Sequence, residues 1–258
     1  MILKEIPSRV IAARSITVFQ DDTFIVSYPR SGNTWVRFLI GNLVNPSEPV
    51  SFVDIEKRVP DIYRNNDSEL QTIPRPRLLK SHEYVNARYG RVIYIVRDPR
   101  DVAVSYYHYH LKQRWVEDGY GLDRFVQDFV AGDLLYGAWN RHVSGWLQSR
   151  QGSGAFLLLD YETMLVYPEI EVRKIAHFLG INTTQQDIDR TLDLSSAINM
   201  RRLEQDQSNV WRTTQLSRKD IPFVRVAKAG QWRSELPRDS AQLIESAWRQ
   251  LMEDLHYL

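Results

Sequence analysis

The chain has no cysteine among its 258 residues. That absence excludes a disulfide framework, a thiolate nucleophile and every zinc site built on cysteine. An uncharged apolar stretch of roughly 18 residues, the length a membrane span needs, is missing too. The opening stretch MILKEIPSRVIAARSI carries Lys4, Glu5, Arg9 and Arg14 where a signal peptide needs an apolar core, so no export is expected. Neither sign of charge dominates: 33 Lys+Arg face 32 Asp+Glu, a net charge of +1. Without a bulk basic field to hold a nucleic acid or an anionic membrane, any anion has to be caught by a local cluster. Gly/Ser linkers, repeats and shifts in composition are also absent, so one domain over residues 1–258 of a cytoplasmic enzyme is expected.

What is present has the balance of a globular protein, 43% hydrophobic and 25% charged. Residues 23–28 (TFIVSY) read as a strand that stops at the turn cluster Pro29-Arg30-Ser31-Gly32. Trp35, Phe38, Leu39 and Leu43 then share one helical face, with Asn33 or Thr34 available as N-cap. Residues 77–80, 91–96 and 155–160 read as further strands, and Asp101 as the cap of the helix that follows the third. Residues 168–179 form a helix closed by Gly180, and residues 240–255 form the last one. Near-continuous apolar strands alternating with helices predict an α/β fold, a mostly parallel sheet flanked by helices on both faces.

Such sheets bind ligands at the carboxyl ends of their strands. Polar clusters stand at three of those ends: Arg30-Ser31-Gly32-Asn33, Ser81-His82 and Arg97-Asp98. Residues 45–77, with five prolines, are expected as a substrate-side excursion. Residues 203–228 are expected as a loop over the substrate and cofactor, suited to a lid.

Tyr28-Pro29-Arg30-Ser31-Gly32-Asn33-Thr34-Trp35 lies between a strand and a helix, where successive N–H groups, the helix dipole, two hydroxyls and one guanidinium can hold an anion. A plain turn with a capping threonine is the alternative. The segment is not a Walker A loop, which needs a second glycine and a lysine. Farther on, Arg97 ends a buried strand and Ser105 follows eight residues later, so the two can converge on a second anion unless Arg97 pairs with Asp98 or Asp101.

Taken with Lys80-Ser81-His82 and Gly230-Gln231-Trp232-Arg233, these segments come in an order and spacing that resembles the cytosolic-type sulfotransferase family. The resemblance covers about residues 23–257, including Asp160-Tyr161-Glu162. It implies a P-loop-kinase-like sulfotransferase fold and transfer of a sulfuryl group from 3′-phosphoadenosine 5′-phosphosulfate (PAPS) to a hydroxyl or amine of a small molecule, with no metal. By the same resemblance Arg30, in place of the family's usual lysine, with Ser31, Gly32, Asn33 and Thr34 would wrap the phosphosulfate. Trp35 and Tyr161 would lie on the adenine side, and Arg97, Ser105, Arg225, Lys228 and Gly230 around the 3′-phosphate. Ser196 falls in a Ser195-Ser196-Ala197…Met200 segment similar to the family's Thr-Ser-Phe…Met.

Ala197 replaces the aromatic ring of that segment, and Val226 and Ala227 replace the lysine and glycine of an Arg-Lys-Gly motif. The family's dimerisation segment is not recognisable in residues 234–240, and no dimer is predicted. His82 matches the catalytic base, and its chemistry agrees, because a neutral imidazole can take the acceptor's proton as it attacks sulfur. Lys80, two residues earlier on the same side of a strand, would neutralise charge on the transferring group. Tyr106, Tyr107, Tyr109 and Trp115 offer aromatic surface for an acceptor that the sequence does not identify. The rival readings are a P-loop-like kinase, which Arg97 in place of an acidic magnesium ligand opposes, and a non-catalytic nucleotide-binding protein.

Overall fold

A computed structural model of the chain describes residues 15–150 and 152–258. The charges at Lys4, Glu5, Arg9 and Arg14 lie outside the described residues. The first unit is β1 (Thr23–Ser27), α1 (Asn33–Val44), the short α2 (Ile55–Arg58) and α3 (Asp67–Gln71), then β2 (Leu78–Ser81). β3 (Arg91–Val96) leads into α4 (Pro99–Lys112), α5 (Leu122–Ala131) and α6 (Trp139–Arg150). β4 (Phe156–Asp160) is followed by α7 (Tyr161–Val166), α8 (Pro168–Leu179), α9 (Gln185–Leu194), α10 (Ala197–Gln207), α11 (Trp232–Glu235) and α12 (Arg238–Asp254).

The four strands pair in the order β2-β1-β3-β4, all parallel. Side chains alternate across a strand, and the sheet therefore has a core on each face. Phe24, Val26, Val92 and Tyr94 pack with α4, α5, α6 and α12, whereas Ile25, Ile93, Ile95 and Leu159 pack with α1, α8, α9 and α10. This is the α/β arrangement expected from strands without a polar face. Since β2 and β3 lie on opposite sides of β1, the chain leaves β1 in one direction and returns in the other, which opens a crevice at the carboxyl ends.

Two expected caps are corrected. Helix α1 is preceded by Gly32 at φ 97° with no side-chain cap, while the Asn33 amide turns back to donate to the Ile25 carbonyl at 3.1 Å and Ser27 Oγ at 3.3 Å. Thr34 likewise lies inside α1. Helix α4 is capped by Asp98, which accepts the Arg100 N–H and precedes Pro99 at the first helical position, and not by Asp101. The last helix begins at Arg238, right after Pro237, and is kinked at Trp248. Residues 45–77 contain α2 and α3, and helix α10 runs into the first residues of the 203–228 stretch.

Candidate active site

One cavity of about 380 Å³ gathers residues that follow all four strands: Arg30 and Gly32 to Trp35 beyond β1, His82 beyond β2, Arg97 and Ser105 beyond β3, and Tyr161 beyond β4. Ser31 does not line the cavity and is fully buried. In the β1–α1 loop Arg30 has φ 68° and Gly32 φ 97°. A left-handed conformation costs a non-glycine residue roughly 1–2 kcal/mol, so Arg30 is held there by its surroundings. A Cβ on Gly32 would stand 2.6 Å from the Tyr161 ring, which requires glycine on steric grounds as well. The first helical bond is Val36 N–H to the Gly32 carbonyl at 3.1 Å, leaving the N–H groups of residues 32–35 ahead of it without an i→i−4 partner. Ser31 Oγ and Arg97 Nε are buried without any partner among the described residues. A buried donor left open is costly, and this set fits an anionic ligand with oxygens to accept.

Arg30, Arg97 and Ser105 come together in one hydrogen-bonded cluster. Arg30 Nε donates to Ser105 Oγ at 3.1 Å and Arg97 donates to the Arg30 carbonyl at 3.1 Å. The Arg30 guanidinium also donates to the Phe223 carbonyl and lies over the Tyr109 and Phe223 rings at 5.0 and 4.7 Å. Burial, with Arg97 and Arg225 adding like charge, pulls its pKa down to about 10, so it is charged at neutral pH and would be favoured further by a bound anion. Arg97 stacks on the Tyr161 ring at 4.3 Å, and Trp35 meets Tyr161 edge-on at 5.7 Å, which groups the two adenine-side candidates with a guanidinium.

Arg225, Lys228 and Gly230 sit in a segment tied down by Arg201 and Glu204, which the sequence did not single out, and by Asp101. Arg201 of α10 donates to the carbonyls of Val224, Arg225 and Val226, and Glu204 accepts the N–H groups of Phe223 and Val224. Asp101 accepts from the N–H groups of Gly230 at 2.7 Å and Trp232 at 2.9 Å. Arg225 is paired with Glu235 at 2.7 Å, and Glu235 also faces His108 at 2.8 Å. Lys228 gives its carbonyl to Arg97 while its side chain is exposed. Ser196 caps α10 through the Asn199 N–H and lines the cavity beside Ala197. The contacts of Arg201 with the Arg225 carbonyl, of Glu204 with the Val224 N–H and of Asp101 with the Gly230 N–H span 24, 20 and 129 residues, and no local pattern announces them.

At the other end stands His82. Its Nδ1 lies 2.7 Å from the Ser27 carbonyl. A carbonyl only accepts, so Nδ1 carries the proton and Nε2 holds the lone pair. Nε2 has no partner among the described residues, and the ring lines the cavity. Burial first, and then the Lys80 charge, hold the imidazole pKa well below 6.5, so the ring is neutral at neutral pH. Ser27 was missed in the sequence; being the last residue of β1 before the loop is its only signal.

Lys80 lines the same cavity but is paired with Asp61 at 2.6 Å, and its charge holds the Asp61 carboxyl below the ordinary value against the opposing effect of burial. Tyr106, Tyr109 and Trp115 also line the cavity. Tyr107 does not, because its hydroxyl donates to the Tyr120 carbonyl and its ring packs on Phe125. Among the described residues no group of three or more His, Asp or Glu is placed to hold a metal ion, and no helix is long and apolar enough to cross a membrane.

Comparison with known proteins fits this geometry. A 3-beta-hydroxysteroid sulfotransferase of Cavia porcellus is 29% identical over 91% of this chain and 85% of its own length. Sulfotransferase 1A1 of Bos taurus is 28% identical over 92% of this chain and 85% of its own. Among solved structures, retinol dehydratase with androsterone and the inactive cofactor PAP superposes with a TM-score of 0.79 at 19% identity, covering 93% of this chain and 82% of that one. A mouse sulfotransferase complexed with PAP gives 0.73 at 23% identity, covering 95% and 87%. At such identities the likeness shows the fold alone, that of the sulfotransferases. The model of the sulfotransferase domain matches residues 20–256, nearly the whole chain, and the chain therefore belongs to the sulfotransferase family and is an enzyme of that type.

Proposed function

We propose that the cavity holds PAPS at the Arg30–Arg97 end and a hydroxyl- or amine-bearing small molecule at the His82 end, and that the chain works as a single domain in the cytoplasm. When bound, PAPS supplies an activated sulfuryl group and leaves as 3′-phosphoadenosine 5′-phosphate (PAP). The chain's own residues do the rest. His82 Nε2 takes the acceptor's proton as its oxygen attacks. Arg30, Ser31 and the N–H groups at the start of α1 offset charge on the leaving phosphate, while Arg97 and Ser105, with Arg225, Lys228 and Gly230 nearby, hold the 3′-phosphate. Trp35 and Tyr161 flank the adenine, and Ser196 closes that side. Most of the catalysis is then positioning and charge stabilisation, as in phosphoryl transfer. Lys80, already neutralised by Asp61, acts on the transferring group through a hydrogen bond more than through net charge.

The observation that carries this reading is the His82 tautomer: Nδ1–H is fixed on Ser27, and a neutral, unpartnered Nε2 is left in the cavity that also contains the anion loop. The experiment is transfer of labelled sulfate from PAPS to a panel of hydroxy acceptors in EDTA, with wild type and His82→Ala. Wild type should transfer, and the variant should lose about 10²–10⁴-fold, the range of general-base contributions, while PAP affinity stays within a few-fold. A variant at the wild-type rate would mean another base. Incorporation into no acceptor by wild type would favour the non-catalytic nucleotide-binding reading.

A further inference from the structure

Of the cationic side chains lining the cavity, Arg37, Lys80, Arg97 and Arg225 each face a carboxylate. Arg30, Arg64 and Lys228 face none among the described residues. Arg30 and Lys228 are tied to the Ser105–Arg97 cluster and belong to the nucleotide end. Arg64 belongs to the other end. It follows Tyr63, whose ring lies parallel to the His82 imidazole with centroids 6.3 Å apart and whose hydroxyl accepts the His82 N–H at 3.0 Å.

The backbone of Arg64 is fixed: its N–H donates to the Asp61 carbonyl at 2.9 Å, and its carbonyl accepts from Arg212 at 2.9 Å. Asp61, three residues earlier, is already held by Lys80 at 2.6 Å. The Arg64 guanidinium instead faces the Tyr109 hydroxyl, whose ring meets Trp115 edge-on at 5.4 Å. The acceptor end thus has aromatic walls, one base, and one half-buried guanidinium without a counter-charge. A charge kept in such a wall is stabilised best by an opposite charge that arrives with the ligand, and the planar guanidinium fork matches a carboxylate.

We propose that the natural acceptor is an aromatic hydroxy acid, its ring among the tyrosines, its hydroxyl toward His82 and its carboxylate on Arg64 and Tyr109. This rests on the sulfotransferase reading and sharpens it. The step is unchanged: the bond from acceptor oxygen to sulfur forms as the bond from sulfur to the leaving phosphate oxygen breaks, and the hydroxyl proton goes to His82 Nε2.

The test uses the full chain, labelled PAPS, and a short series of para-hydroxyphenyl carboxylic acids with their methyl esters. For wild type, kcat/KM for the best acid should exceed that for its ester by about tenfold or more, the scale of one charge-assisted hydrogen bond. Arg64→Ala should bring the acid-to-ester ratio near unity, and Arg64→Lys should keep part of it. A wild-type preference for the ester overturns the proposal, as does an Arg64→Ala loss shared equally by acid and ester. Transfer to neither, with PAP still bound in calorimetry, overturns the hydroxy-acid class and leaves the sulfotransferase reading in place. Loss of both PAP binding and transfer removes both.

Discussion

Arg77 and Arg30 stand at opposite ends of β1 and show two uses of one side chain. Arg77, at the amino end, is fully buried and satisfied: both Asp22 carboxylate oxygens accept from it, at 2.8 and 2.6 Å, and the carbonyls of Leu70 and Thr17 take the rest. Arg30, past the carboxyl end, meets only neutral oxygens and aromatic rings. A buried charge with its counter-charge built in closes the fold, whereas one without it is completed by a ligand.

Arg77→Ala should have the largest effect on folding, since it leaves the Asp22 carboxylate buried without a partner. We expect a loss of about 3–5 kcal/mol in urea unfolding. A loss below about 1 kcal/mol would break the contrast from the Arg77 side. Arg30→Ala should do the reverse, with stability kept and turnover lowered by about 10²-fold, the scale of one preorganised donor. Arg30→Lys should retain measurable activity because the charge remains. Intact turnover in Arg30→Ala would make this residue a wall of the cavity and nothing more.

Smaller effects sharpen the picture of the cavity edge. Arg97→Ala should weaken PAP by about tenfold or more while changing AMP much less, as calorimetry with the two nucleotides would read. The pH profile should show the least change. Burial and the Lys80 charge depress the His82 pKa, so the neutral base persists as pH falls through 6.5, and kcat/KM should stay flat there before declining at lower pH. A fall centred on 6.5 would mean an imidazole in ordinary solvent contact.

The sequence made the strands and the edge that bears the cavity legible because both are local patterns. The apolar runs of β1 and β3, the polar residues at their ends and the order of Arg30, His82 and Arg97 all follow from neighbouring residues. What stayed hidden was contact between distant residues. Asp101 reads as the cap of α4, but Asp98 caps it, and Asp101 is engaged instead by the N–H groups of Gly230 and Trp232 from 129 and 131 residues away. Arg225 looks free until Glu235 is seen beside it, and Tyr107 looks like pocket surface until α4 turns it onto Phe125. Arg64, one of several charges in a proline-rich stretch, acquires meaning only when Lys80 is found to have taken Asp61.

Arg30, without a counter-charge, and Arg97, with an unpartnered Nε, equip the carboxyl edge for a nucleotide with two anionic groups. Calorimetric titration of the wild-type chain with PAP and with AMP tests this most directly. With Arg97 and Ser105 holding a 3′-phosphate, PAP should bind at least about tenfold more tightly than AMP. Equal affinities would contradict the account.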